Sequence, residues 1–459
     1  MHKQIFCCII QFYFRIKIYI CSVNTQNENN SKMKQLKIRL IIMYFLQFFI
    51  WGSWLITIGA YWFQTLPVLY PEQQWSGTAF GALFSTMGWA ALIMPSLLGI
   101  IADKWINAEK LLGLSHLAGA VCLFILPAID NPTTMFWVLL LNMAFYMPTI
   151  SLAITVAYSS IKKEGADVVK EYPPIRVWGT IGFIVAMWAV SLLHIEKTAG
   201  QFYLAAAAAV VLGLYAFTLP KCLPEGKGAK SVSLAEAMGL NAFTLFRDRR
   251  ISIFFIFSML LGAALQLTNA YGDTFLHDFA KIPEYQDTLA VKYPAIIMSI
   301  SQMSETLFIL AIPFFMKRFG IKNVMLLSMF AWVLRFALFG YGDPAGGLWM
   351  IILSCIVYGM AFDFFNISGS LFLETQTSPK IRASAQGLFM MMTNGAGAIF
   401  GSMASGWVIQ EFFTNPDNSL QWKEIWLVFA VYALIIGILF MFLFDDKGLD
   451  TREMKVRHV

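Results

Sequence analysis

The chain has 459 residues, of which 58% are hydrophobic and only 13% charged, with a mean hydropathy of +0.65; a soluble globular protein carries roughly 25% charge. That balance excludes a soluble enzyme and points to a polytopic membrane protein. The formal net charge of +6 does not imply nucleic-acid binding, because the basic residues fall in short runs between apolar segments, as the positive-inside rule places them.

In chain order, residues 1–32 carry interspersed charges, no small-residue cleavage site and a polar Asn/Gln/Ser tail, so they do not read as a signal peptide. Met33 opens MKQLKIRL, a basic start before a long apolar run, and residues 1–32 are expected to be an extension that adds neither a span nor a site. Cys7, Cys8 and Cys21 lie there, while Cys122, Cys222 and Cys355 are scattered without a CxxC pair. No disulfide framework, metal site or cofactor is expected.

A span needs about 20 mostly apolar residues. Runs of that kind begin near Arg39, Thr78, Leu111, Met135, Pro174, Gln201, Ile251, Ala295, Val324, Leu348, Ala383 and Ile425, which predicts twelve spans and puts both termini on one side. The connections on that side hold most of the basic residues, among them Lys34, Lys37, Lys104, Lys162, Lys163, Arg247, Arg249, Arg250, Lys317, Arg318, Lys380 and Arg382. The opposite loops hold only Lys197, Lys281, Lys292 and Lys423, so both termini are expected in the cytoplasm.

The longest hydrophilic connection, 221–250, predicts a cytoplasmic linker between six-helix bundles at 33–220 and 251–444, with a cytoplasmic tail at 445–459. The halves echo one another: PPIRVWGTIGF at span five aligns with SPKIRASAQGLF at span eleven, pairing Arg176 with Arg382. Parallel six-helix repeats with a substrate site near the midplane are the architecture of major facilitator transporters, so the expected fold is all-α, with twelve transmembrane helices in two six-helix bundles.

Polar residues inside such spans are the candidates for function. Asp363 in YGMAFDFFNISGS is an intramembrane carboxylate, which costs about 2.5 to more than 10 kcal/mol at the bilayer centre and usually faces a cavity or a partner. Gln266 and Asn269 are three apart in span seven, and Gln302 and Glu305 are three apart in span eight, so each pair shares a helix face. Interhelical hydrogen bonding is the plainer role for any single amide; two pairs plus an acid favour a site. Arg176, Thr180 and Phe183 recur at i, i+4 and i+7 on span five, where Arg176 is equally readable as snorkelling to the surface. Arg335 either neutralises an acid or snorkels outward. His116 reads as a hydrogen-bonded packing residue. The sequence contains no P-loop, phosphate cradle or Ser/His/Asp series, so hydrolysis and ATP-driven transport lack their groups and the energy source is expected to be an ion gradient. Desolvation disfavours a charged carboxylate, which lets such an acid load a proton on one side and release it on the other.

The segments FLQFFIWGSWLITIGAYWF, MPSLLGIIADKW, PPIRVWGTIGFI, FFIFSMLLGAALQLTN, SISQMSETLFILAIPFF, AWVLRFALFGYGDP, YGMAFDFFNISGS and SAQGLFMMMTNG together resemble the nucleoside:proton symporter family of the major facilitator superfamily, from Met33 to about Phe444. The resemblance implies alternating-access import of a nucleoside with protons, in the plasma membrane of a bacterium (the inner one if the cell has two), by a monomer. It also implies that Arg176, Thr180, Phe183, Gln266, Asn269, Gln302, Glu305, Tyr358, Phe362 and Asp363 contact the nucleoside. Of the two acids expected to couple protons, Asp363 and Glu305, the apolar flank of Phe362, Phe364 and Phe365 favours Asp363 as the carrier. Asp103, in the loop GIIADKW, is implied to gate conformation. Carboxylates and amides suit the ribose diol and base edge, and aromatic rings suit the base face. The competing readings are a transporter of the same fold for a sugar or drug, and a membrane-embedded enzyme or receptor.

Overall fold

A computed structural model describes residues 31–224, 240–378 and 381–444. Most of the 1–32 extension, the centre of the 221–250 linker and the 445–459 tail therefore lie outside the described residues. The described chain is helical, with twelve spans numbered α1 to α12.

In the first half these are α1 (Ser31–Gly52), α2 (Gly77–Lys104), α3 (Ala108–Ile125), α4 (Pro132–Lys163), α5 (Val168–Leu192) and α6 (Gly200–Ala216). In the second they are α7 (Arg249–Asp278), α8 (294–319), α9 (321–341), α10 (Leu348–Gln376), α11 (382–412) and α12 (Trp422–Leu443). Two starts are earlier than the apolar runs suggest. Helix α1 is already helical at Ser31, the first described residue of this half, and α5 begins at Val168, because charged and Pro-containing turns such as KMKQLK and VVKEYPP extend the helices past their apolar stretches.

Side-chain caps fix several of these starts. Asn131 accepts from the backbone N–H of Thr133 and Thr134 ahead of Pro132, Asp167 accepts from Val169, and Asp248 accepts from Arg250 and Ile251. Helices α8 and α9 run on almost without a break; Gly320, at φ +76° and ψ 171°, turns the chain between them with a backbone conformation that side-chain-bearing residues rarely adopt. Helix α1 loosens after Gly52 into a short helix, a π segment at Tyr61–Thr65 and a last turn at Leu66–Leu69. Helix α11 carries a second π segment at Met391–Gly397, a distortion that frequently marks functional places in a helix.

The connections after α1, α3, α5, α7, α9 and α11 lie at one end of the bundle, the distal end; the others lie at the proximal end. The two six-helix bundles meet along α1 with α7, α2 with α11 and α5 with α8. Within the second bundle α8 and α10 pack backbone to backbone: a Cβ on Gly359 would lie 2.6 Å from the Ser304 carbonyl oxygen. The Gly359 N–H donates to Ser304 Oγ at 3.1 Å.

Candidate functional site

The candidate residues lie on α5, α7, α8 and α10. On α10, Tyr358 and Asp363 are buried and Phe362 is half-buried. The Tyr358 and Phe362 rings are parallel, 4° between planes and 5.8 Å between centroids, as their one-turn spacing allows. Glu305 on α8 interacts electrostatically with both Asp363 and Tyr358, and Arg176 of the other bundle interacts with Glu305. Glu305 is thus linked electrostatically to an acid of its own bundle and to a cation of the other.

Arg176 does not extend to the proximal surface. Its guanidinium carbon lies 4.2 Å from the Phe48 ring centroid and 5.8 Å from that of Tyr44, both on α1, a cation–π arrangement that holds it inward. Thr180, one turn on, is half-buried, and Phe183 is buried edge-on to Trp51 at 6.3 Å. Across the boundary, Gln266 is buried, while Asn269, Gln302 and Glu305 are half-buried. Gln266 Oε1, Gln302 Oε1 and Asp363 Oδ2 are buried and accept no hydrogen bond. A stranded buried acceptor costs about 1–3 kcal/mol, so three of them on neighbouring helices are poorly explained as interhelical glue and suit a ligand rich in donors.

Arg335 follows neither course expected of it. It is fully buried on α9 and bonds to hydroxyl and carbonyl groups of α7, α8 and α10, rather than pairing with an acid or reaching the surface. His116 is buried with Nε2 2.7 Å from Gln47 Oε1, and the Gln47 amide donates to Thr149 Oγ1 at 2.7 Å, which makes it a packing residue tying α3, α1 and α4 together. Asp103 is exposed at the proximal end of α2, away from the convergent set.

Two groups escaped the reading of the sequence. The first is Trp51 with Tyr146, ring centroids 5.5 Å apart, beside Phe183; the Trp51 indole N–H is buried without an acceptor. Only the WGSW cluster hinted at it. The second is a buried trio at the distal end. His277 Nε2 lies 3.1 Å from Glu196 Oε2, and Nδ1 lies 3.1 Å from Asp273 Oδ2, with the ring N–H directed better at the Asp273 backbone oxygen, 3.2 Å away. Glu196 belongs to the α5–α6 connection, yet its other oxygen accepts from the Ala295 N–H at the start of α8. The Asp273 and His277 spacing of four in an otherwise apolar span was the available signal.

The trio joins other distal contacts between the bundles. The Gln64 amide donates to Asp278 Oδ1 at 2.8 Å, the Trp188 indole donates to Ser299 Oγ at 2.9 Å, and Phe63 and Phe80 pack on Tyr271. These contacts join the two bundles at the distal end. Among the described residues, α4 and α5 make few close approaches to α10 and α11. A separate cavity of about 430 Å³ near Phe275, Asp278, Phe339 and Trp422 contains none of the candidate residues.

The sequence model of the nucleoside H+ symporter family matches residues 33–448. The chain belongs to that family. It is a multi-pass membrane transporter of the major facilitator fold, not an enzyme. The xanthosine permease of Escherichia coli (strain K12) is 53% identical over 422 residues, 92% of this chain and 98% of that protein. The nucleoside permease NupG of the same organism is 50% identical over 413 residues, 90% of this chain and 96% of that protein. A crystal structure of the nucleoside transporter NupG superimposes with a TM-score of 0.83 at 50% identity, covering 90% of this chain and all of that one. The POT family transporter PepTSo, at 13% identity and a TM-score of 0.66 over 89% of this chain and 97% of that one, shares the fold alone.

Proposed function

We propose that this chain imports nucleosides together with protons by alternating access, as a monomer in the lipid bilayer of a bacterial inner (plasma) membrane, with both termini and the proximal end in the cytoplasm. Bundles at 33–220 and 251–444, joined by the 221–250 linker, rock about a site made of Arg176, Thr180, Phe183, Gln266, Asn269, Gln302, Glu305, Tyr358, Phe362 and Asp363, with Asp103 gating the cytoplasmic face. The observation that supports this reading is that three buried unpartnered acceptors, on α7, α8 and α10, occur alongside a parallel aromatic pair on α10. A nucleoside supplies what those groups lack: hydroxyl and amine donors for the oxygens, and a flat face for the rings. Glu305, sharing a face with Gln302, accepts from the ligand. Asp363, flanked by Phe362, Phe364 and Phe365, carries the proton.

Uptake of radiolabelled uridine into proteoliposomes, competed by nucleosides, sugars and nucleoside monophosphates, tests the substrate class. Nucleosides are expected to compete, whereas sugars and monophosphates compete at least tenfold more weakly, because Arg176 is the only cation in the proposed site. Equal competition by a sugar would return the chain to another substrate class, and equal competition by a monophosphate would contradict the charge argument. Gln302→Ala and Asn269→Ala are each expected to weaken uridine binding by about 1–3 kcal/mol, the cost of stranding a buried polar partner. Unchanged affinity in both, by calorimetry, would reduce these amides to helix packing.

A further inference from the structure

Buried charge in the second bundle is not confined to the acids. Arg335 sits on α9, a helix that carries none of the proposed ligand contacts, and is fully buried. A guanidinium inside a membrane protein is expensive unless its donors are satisfied, and here they are spread over three helices. Nε donates to Thr268 Oγ1 on α7 at 3.3 Å, and the two terminal nitrogens share Ser301 Oγ on α8 at 3.4 Å. One of them also donates to the Ser354 carbonyl on α10 at 2.7 Å, while Ser354 Oγ donates back to the Arg335 carbonyl at 2.9 Å. The guanidinium carbon lies 4.6 Å from the Tyr358 ring centroid and 5.0 Å from that of Phe339.

Each anchor is next to a proposed contact. Thr268 lies between Gln266 and Asn269, Ser301 precedes Gln302, and Ser354 is one turn before Tyr358. The Tyr358 ring in turn is the one that parallels Phe362. We propose that Arg335 is the positioning residue of the substrate site: its planar fork sets the axial register of α7, α8 and α10 and holds the Tyr358 ring from behind, without touching the ligand. This rests on the nucleoside-site reading above. The geometry asks for a guanidinium, because a lysine ammonium at the same place is a point charge on a flexible stem and cannot hold divergent anchors in fixed directions.

The test compares wild type, Arg335→Lys and Arg335→Gln in detergent and in proteoliposomes, reading uridine Kd, the KM and kcat of uptake, and the melting temperature with and without uridine. Both variants are expected to raise Kd and KM at least tenfold, with a smaller effect on kcat, to lose most of the uridine-induced rise in melting temperature, and to melt within a few degrees of wild type without uridine. Arg335→Lys is expected not to rescue. A wild-type Kd in either variant overturns the positioning role. Should neither variant insert, Thr268→Val and Ser301→Ala each remove one anchor at constant charge; a twofold to tenfold rise in Kd is expected, and a wild-type Kd in both overturns the proposal. A wild-type chain that binds no nucleoside overturns the site reading and this inference with it, whereas normal wild-type binding with unaffected Arg335 variants overturns this inference alone.

Discussion

Asp363→Asn is expected to abolish uphill accumulation of nucleoside, by at least tenfold in vesicles with an imposed proton gradient, and to remove the dependence of uptake on external pH, while nucleoside binding and exchange persist. Asparagine keeps the shape and one acceptor of the carboxyl group but takes up no proton, so binding and coupling separate in this one variant. The two acids interact electrostatically, and coupled acids share their titration rather than owning it singly. The decisive comparison is therefore with Glu305→Gln under the same gradient. If Asp363→Asn still concentrates nucleoside with a normal pH profile and Glu305→Gln does not, the two roles are exchanged.

Removing one partner of the distal trio is expected to shift the chain away from the distally closed arrangement. The Glu196 side chain bridges the bundles through His277 and the N-terminus of α8, and both side chains are buried. An imidazolium can donate from both ring nitrogens, which suits a ring flanked by two carboxylates. A buried charge pair broken at one side costs about 3–5 kcal/mol, enough to change the ratio of closed to open distal arrangements by roughly a hundredfold or more. Spin labels at Val68→Cys and Ile282→Cys, two exposed distal positions in different bundles, in a chain otherwise free of cysteine, would report the change. Glu196→Gln and His277→Gln should each move the distance distribution to longer values. An unchanged distribution in both would show that the aromatic contacts around Tyr271 and the close helix packing hold this end closed without the trio.

How much of this was legible in the sequence follows from the range of the forces involved. The twelve spans and the all-helical fold rest on the length of apolar runs, which is a local property: a backbone in hydrocarbon must bond internally, so each run of sufficient length becomes a helix wherever it later packs. The early starts of α1 and α5 show the limit of that rule, since a helix continues into water as long as capping and propensity permit. Spacing within one helix was equally local, and the one-turn separation of Tyr358 and Phe362 led directly to their parallel rings.

Direction and partnership were not local. Arg176 and Arg335 are both cations in apolar spans, and the sequence left each between two readings; only packing shows Arg176 held against Phe48, and Arg335 spread over three helices. Glu196 lay in a short loop 77 positions before Asp273 and 81 before His277, a separation that no helical periodicity can bridge. Residues of that kind are brought together by the docking of two bundles, whose relative placement depends on close contacts such as those of α1 with α7 and α5 with α8. The sequence alone determined that this chain is a membrane protein of twelve helices with costly polar groups inside. The tertiary structure decided which partners each of those groups has and which of them connect one bundle to the other, because a buried charge takes its role from the partners that solvate it in place of water.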